Sequence, residues 1–166
     1  QQYGIDDSQI KKDKNRLGIY FLERGISLRS SNVIYDRENS SISLAQREDF
    51  KYKKIFKDID WFHWSGITPA LSQNLVGITL DALKEARNQG IKISCDLNYR
   101  NLLWNYGKDP KEVMPELINF SDILIGNEAS VELMLGISQK SEKSNSNVYN
   151  LHKDLSSRIQ KRYPNL

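Results

Sequence analysis

Ile59-Asp60-Trp61-Phe62-His63-Trp64-Ser65-Gly66-Ile67-Thr68-Pro69-Ala70-Leu71-Ser72, the stretch Gln73 to Gly90, and then Ile91-Lys92-Ile93-Ser94-Cys95-Asp96-Leu97-Asn98-Tyr99-Arg100 decide the fold class. Ile59 to Trp64 is a short, mostly apolar run of strand length. Ser72 stands at an N-cap position. Behind it Leu75, Val76, Thr79, Leu80, Leu83 and Ala86 recur at helical spacing, which predicts a helix from about Gln73 to Gln89. Gly90 can end that helix, and Ile91 to Cys95 follows as a second strand. Farther on come a helix near Glu112 to Phe120, the strand Ile123-Leu124-Ile125, and a helix from Glu128 to Leu135 closed by Gly136. Strand, helix, strand, helix, strand at these distances predicts a parallel sheet with helices packed on its faces.

Upstream the pattern differs. Ile5 to Leu44 is strand-like, with Leu17-Gly18-Ile19-Tyr20-Phe21-Leu22 and Val33-Ile34-Tyr35 rich in β-branched and aromatic residues. Arg24-Gly25-Ile26-Ser27 and Ser30-Ser31-Asn32 separate them, so a small antiparallel sheet is expected. The expected division is a β-sheet region over 5–45 and an α/β region over 46–166. Ser138 to Asn147 forms a Ser/Lys/Asn loop, and Leu151 to Tyr163 a helix broken by Pro164-Asn165. Leu166 stands where a new strand could begin. No Met starts the chain, and Gln1-Gln2-Tyr3-Gly4 resembles the last turn of a helix with a glycine stop. These ends are expected of a piece of a longer polypeptide.

The 166 residues are 39% hydrophobic, 27% charged and 10% aromatic, which argues against wholesale disorder, collagen or a disulfide scaffold. No apolar run approaches the roughly 20 residues of a membrane-spanning helix, so no membrane partner is expected. The start shows no charged-then-apolar leader. One cysteine, Cys95, cannot form an internal disulfide, and a cytoplasmic setting fits. The net charge of +3 is uneven, with six Lys/Arg against two Asp/Glu between Gln139 and Leu166. Aromatic residues do not alternate with those charges, so a solvated helix face is expected there and nucleic acid is not. The phosphate-loop pattern G-x-x-x-x-G-K and the motifs G-x-G-x-x-G, H-E-x-x-H and C-x-x-C do not occur.

Open parallel sheets bind ligands at the carboxyl ends of their strands. Here those ends are Ser65-Gly66-Ile67-Thr68-Pro69, Asp96-Leu97-Asn98-Tyr99-Arg100 and Gly126-Asn127-Glu128. The second is the most informative, because a guanidinium straight after a buried strand suits a carboxylate or phosphate. The alternative is a structural Asp–Arg pair. His63 is expected to be a hydrogen-bonded structural histidine, and Cys95 a buried small hydrophobe. Trp61, Trp64 and Trp104 are expected in the core or a pocket wall. Tyr35 and Arg37 are two apart and share one strand face, which either lines a polar pocket or meets solvent.

Arg16 to Phe21, Val33 to Arg37, Trp61 to Ser72 and Cys95 to Arg100 together resemble the 2-keto-3-deoxygluconate kinases of the ribokinase-like, PfkB-type carbohydrate kinase family. The resemblance runs from Tyr3 to about Gly136. It implies an α/β fold, a partial three-layer α/β/α sandwich of Rossmann-like type over 46–166, with a small β-sheet lid over 5–45. The implied reaction moves the γ-phosphoryl of ATP, with Mg²⁺, to the terminal hydroxyl of 2-keto-3-deoxygluconate. The resemblance places Tyr20, Tyr35, Arg37, Ile67, Asn98 and Arg100 against the sugar acid. It places Asn127 and Glu128 near the nucleotide phosphates. Ser130 replaces the glutamate of the family's N-x-x-E element. The G-A-G-D motif that carries the family's catalytic Asp does not occur, nor does the amino-terminal glycine-rich substrate segment. The chain alone is therefore expected to be inactive. The resemblance also implies a homo-oligomer paired through lid sheets, whose edges are otherwise open to unwanted pairing. The alternatives are another PfkB-type sugar kinase, such as a fructokinase, and a non-catalytic binding or assembly module.

Overall fold

The computed structural model describes residues 3–138 and 147–166. The Ser/Lys/Asn loop and the first two residues of the expected helical turn at the start lie outside them, save for Ser138 and Asn147. Two compact units make up the chain, Gln1–Lys51 and Tyr52–Leu166.

In the first unit, β1 (Ile19–Glu23) pairs antiparallel with β2 (Asn32–Asp36), and Tyr20 sits directly across from Tyr35. The hairpin loop needs Gly25, since a Cβ there would stand 2.0 Å from the Arg29 carbonyl oxygen. The strand-like expectation for Ile5 to Leu17 fails. Apart from an isolated bridge between Arg16 and Ser40, those residues form no strand. Asp6 and Asp13 instead accept nearby backbone N–H groups, which favours turns over a ladder. A single helical turn, α1 (Ser41–Leu44), follows.

The second unit opens with another short turn, α2 (Tyr52–Ile55). β3 (Trp61–Ser65), β4 (Lys92–Asp96) and β5 (Ile123–Ile125) then form a parallel sheet in the order β3-β4-β5. Between them run α3 (Gln73–Asn88) and α4 (Pro110–Ile118). Ser72 Oγ accepts the Leu75 N–H at 3.2 Å and starts α3, while Gly90 leaves it at φ +71°. Asp109 caps α4, and Pro110 takes its first turn, where no N–H is needed. α5 (Glu128–Leu135) ends at Gly136 in the left-handed conformation, and α6 (Val148–Arg162) follows.

The alternation along the strands separates two faces. Trp64, Ile93 and Cys95 enter one core with Leu83 and Ala86 of α3, Met114 and Leu117 of α4, and Met134 of α5. Trp61, His63, Ile123 and Ile125 occupy the other face, where Trp61 is 52% exposed and Ile125 51%. The described residues thus supply the sheet and one helical layer of the sandwich. Trp61 corrects the expectation of a core or wall position: it lies on the open face of an edge strand, its indole N–H donating to Ser94 Oγ at 2.8 Å. Trp64 is buried and donates to Ser121 Oγ at 3.1 Å. Trp104 is half-buried and stacks on Tyr106, with ring centroids 5.9 Å apart.

Candidate functional site

The strand ends are locked together. The parallel ladder continues past them, with Gly66 N–H donating to the Asp96 carbonyl and Leu97 N–H to the Ile125 carbonyl, each at 2.9 Å. Leu97 is fully buried between two glycines. A Cβ on Gly66 would stand 2.2 Å from the Leu97 carbonyl oxygen, and one on Gly126 2.9 Å from Leu97 Cδ1. A side chain at Gly66 would meet backbone, whereas one at Gly126 would require the Leu97 side chain to shift.

Beyond Leu97 the chain turns outward at Asn98, whose φ of +43° is a left-handed conformation uncommon for a side-chain-bearing residue. Asn98 Nδ2 and Ile67 N–H both point to Ser65 Oγ, at 3.5 and 3.4 Å, so Ser65 draws two expected site residues together. The sequence placed Ser65 in the first strand end but gave it no role of its own, because a serine ending a strand carries no individual signal. Arg100 is exposed and donates to the Tyr99 carbonyl at 2.9 Å. Among the described residues it meets no carboxylate, so the alternative of a structural Asp–Arg pair is not realised. Tyr106 donates to the Pro69 carbonyl at 2.8 Å, and burial pushes its phenol up to about 12.

The third strand end carries Asn127 and Glu128. Asn127 Oδ1 accepts the Ser130 N–H at 2.8 Å and caps α5. Among the described residues its Nδ2 makes no hydrogen bond. The Glu128 carboxyl is held below its ordinary value, first by its own backbone N–H at the head of α5 and then by His152, with which it pairs. His152 was not legible, since it approaches from α6, 24 residues along the chain. A cavity of about 580 Å³ runs beside β5 and takes in Asn127, Glu128 and His152 together with apolar Leu124, Val131 and Leu155. It does not include Ile67, Asn98 or Arg100. Asn127 and Glu128, expected near the nucleotide, are therefore grouped apart from Ile67, Asn98 and Arg100, the strand-end trio expected near the sugar acid.

In the first unit, Tyr20 and Tyr35 have ring centroids 6.5 Å apart, and Arg37 Cζ lies 5.1 Å over the Tyr35 ring. The shared face of Tyr35 and Arg37 is realised. Elsewhere, His63 Nδ1 lies 2.8 Å from Ser94 Oγ, the structural histidine expected. Cys95 is fully buried, and burial, with the Asp96 charge beside it, drives its thiol well above the ordinary value.

The parallel sheet, its glycine-tight strand ends and the helices packed on one face define an α/β domain. The pfkB family carbohydrate kinase pattern matches residues 1–161, and the chain belongs to that family. It is 33% identical to 2-dehydro-3-deoxygalactonokinase of Haloferax volcanii over 133 residues, covering 80% of this chain and 41% of that protein. It is 28% identical to 2-dehydro-3-deoxygluconokinase of Bacillus subtilis over 135 residues, again covering 80% of this chain and 41% of the relative. The crystal structure of 2-dehydro-3-deoxygluconokinase from Thermotoga maritima superposes with a TM-score of 0.86 at 41% identity, covering 98% of this chain and 48% of that one. The chain thus spans less than half the length of each of these relatives.

Proposed function

We propose that the full-length protein is a cytoplasmic 2-keto-3-deoxygluconate kinase. It moves the γ-phosphoryl of ATP to the sugar acid's terminal hydroxyl. The observation that carries this reading is Arg100, a guanidinium just past the end of β4 that meets no carboxylate among the described residues. A sugar acid needs such a fixed, forked cation, whereas a neutral sugar does not. The names of the relatives from Haloferax, Bacillus and Thermotoga support the same substrate class. Ile67 and Asn98 are assigned to the acid beside Arg100 through their common partner Ser65. Tyr20, Tyr35 and Arg37 are assigned to the same class of ligand as donors of the lid.

ATP supplies the phosphoryl group, and Mg²⁺ neutralises its charge during transfer. Asn127 and Glu128 are the residues of this chain that would stand toward them. Ser130 is buried and offers no metal ligand in place of the family's glutamate. The 166-residue chain by itself is assigned no turnover, because positioning and electrostatic stabilisation dominate phosphoryl transfer and the G-A-G-D element is not in its sequence.

The test is a steady-state assay of the full-length protein with ATP and Mg²⁺ against 2-keto-3-deoxygluconate, fructose and ribose. The acid is expected to be the preferred substrate. Arg100→Ala removes charge-assisted hydrogen bonds worth about 1.5–3 kcal/mol and should raise KM for the acid about 10- to 150-fold. Equal use of all three sugars would overturn the assignment.

A further inference from the structure

We infer that Arg16 is the positioning residue that aims the Arg37 guanidinium. The inference deepens the reading of Arg37 as a ligand-binding cation and rests on it.

Arg37 follows directly after the last residue of β2, where a strand end would ordinarily be free to fray. Arg16 fixes the backbone on both sides of it. Its guanidinium pairs with the Asp36 carboxylate, Nη1 reaching Oδ2 at 3.3 Å and Nη2 reaching Oδ1. Nη2 and Nε donate to the Glu38 carbonyl at 2.7 and 3.1 Å, and Nη1 to the Leu17 carbonyl at 3.3 Å. Between these two fixed neighbours, the carbonyl of Arg37 itself accepts from Ser40 Oγ at 2.6 Å and from Ser40 N–H at 3.2 Å. The segment bearing Arg16 is held in turn, the Arg16 carbonyl accepting the Ser41 N–H at 2.9 Å. Ser41 Oγ donates to Asp13 Oδ1 at 2.6 Å, which holds the Asp13 carboxyl below its ordinary value.

The side chain of Arg37 is then set in two further ways. Its stem crosses Gly18, where a Cβ would stand 3.2 Å from Arg37 Cγ. Its head lies over the Tyr35 ring and, among the described residues, pairs with no carboxylate. Arg16 occupies Asp36, the acidic neighbour in sequence, and so leaves the Arg37 charge available. An exposed ion pair of this kind adds little to stability. The worth of Arg16 therefore lies in geometry: a preset cation loses less freedom when it grips an anion.

The experiment uses the full-length protein and the variants Arg16→Ala, Arg37→Ala, the double variant and Arg16→Lys. Arg16→Ala is expected to raise KM for the keto acid about tenfold, with kcat and KM for ATP within twofold. Added to Arg37→Ala, it should have no further effect, because both act through one guanidinium. Arg16→Lys keeps the Asp36 pair but not the fork to the carbonyls, and should fall between. Without substrate, the Arg37 Nε–Hε resonance should carry a ring-current shift from Tyr35 that Arg16→Ala abolishes. Multiplying effects in the double variant, or a surviving ring-current shift, would overturn the positioning role. If Arg37→Ala leaves the acid's KM unchanged while Arg16→Ala still abolishes the shift, the positioning holds and the ligand reading of Arg37 is what fails.

Discussion

Arg100 and Asp122 show how differently two charged residues at opposite ends of the sheet are treated. Among the described residues Arg100 meets only a backbone carbonyl, whereas Asp122 is fully engaged. It accepts Ile93 N–H at 2.8 Å and Arg87 Nη1 at 2.9 Å, with Lys92 Nζ at 3.8 Å. Burial pushes its carboxyl up, but the Ile93 N–H, Arg87 and Lys92 outweigh that and hold it below its ordinary value. A depressed carboxyl stabilises the fold above the unfolded pKa, and that contribution is lost as pH falls through the folded value. Asp122→Asn should therefore cost about 1–2 kcal/mol at pH 7. The gap to the wild type should close below about pH 4 in pH-dependent thermal unfolding. The sequence singled out Arg100 as a guanidinium straight after a buried strand but left a structural Asp–Arg pair open, and the structure shows no such pair among the described residues. The web around Asp122 was not legible, because its partners lie 35 and 29 residues away and meet only through the sheet register.

At the scale of elements, the long helices and the parallel strands could be read because caps and apolar periods agree. Ser72 and Gly90 bracket α3, and Asn127 and Gly136 bracket α5. α1 and α2 could not be read, since four residues are too few to establish a period. The wedge of Leu97 between Gly66 and Gly126 was also hidden. Three residues from three strand ends meet there, and each glycine alone looks like an ordinary turn. A methyl group on Gly66 would meet backbone, which cannot yield as a side-chain tip can. Gly66→Ala should destabilise by about 1–3 kcal/mol, measured by denaturant unfolding. An unchanged midpoint for Gly66→Ala would show that the strand ends are slack.

At the scale of the whole molecule, the chain is two units, and the sheet of the first carries large apolar side chains on solvent. Phe21 and Ile34 face each other across the hairpin, each 56% exposed, with Ile19 beside them at 45%. A two-stranded sheet with such a face is marginal alone and gains from a partner. The lid-to-lid pairing proposed from the family resemblance fits that face, which is distinct from the one bearing Tyr20 and Tyr35. Phe21→Asp is expected to shift the full-length protein toward monomer in sedimentation, while a native monomer would remove the pairing. The expectation of lid pairing came only through the resemblance, because exposure of both faces of a strand leaves no period to read. The fold class followed from the strand and helix order. The separation of Asn127 and Glu128 from the strand-end trio needed the structure, because sequence spacing does not say which strand end borders which cavity.

The most direct measurement is a crystal structure of the full-length protein with 2-keto-3-deoxygluconate bound. The expected result is the Arg100 guanidinium within hydrogen-bond distance of the ligand carboxylate. Arg100 turned into an ion pair with a residue of the protein, with the carboxylate held elsewhere, would contradict it.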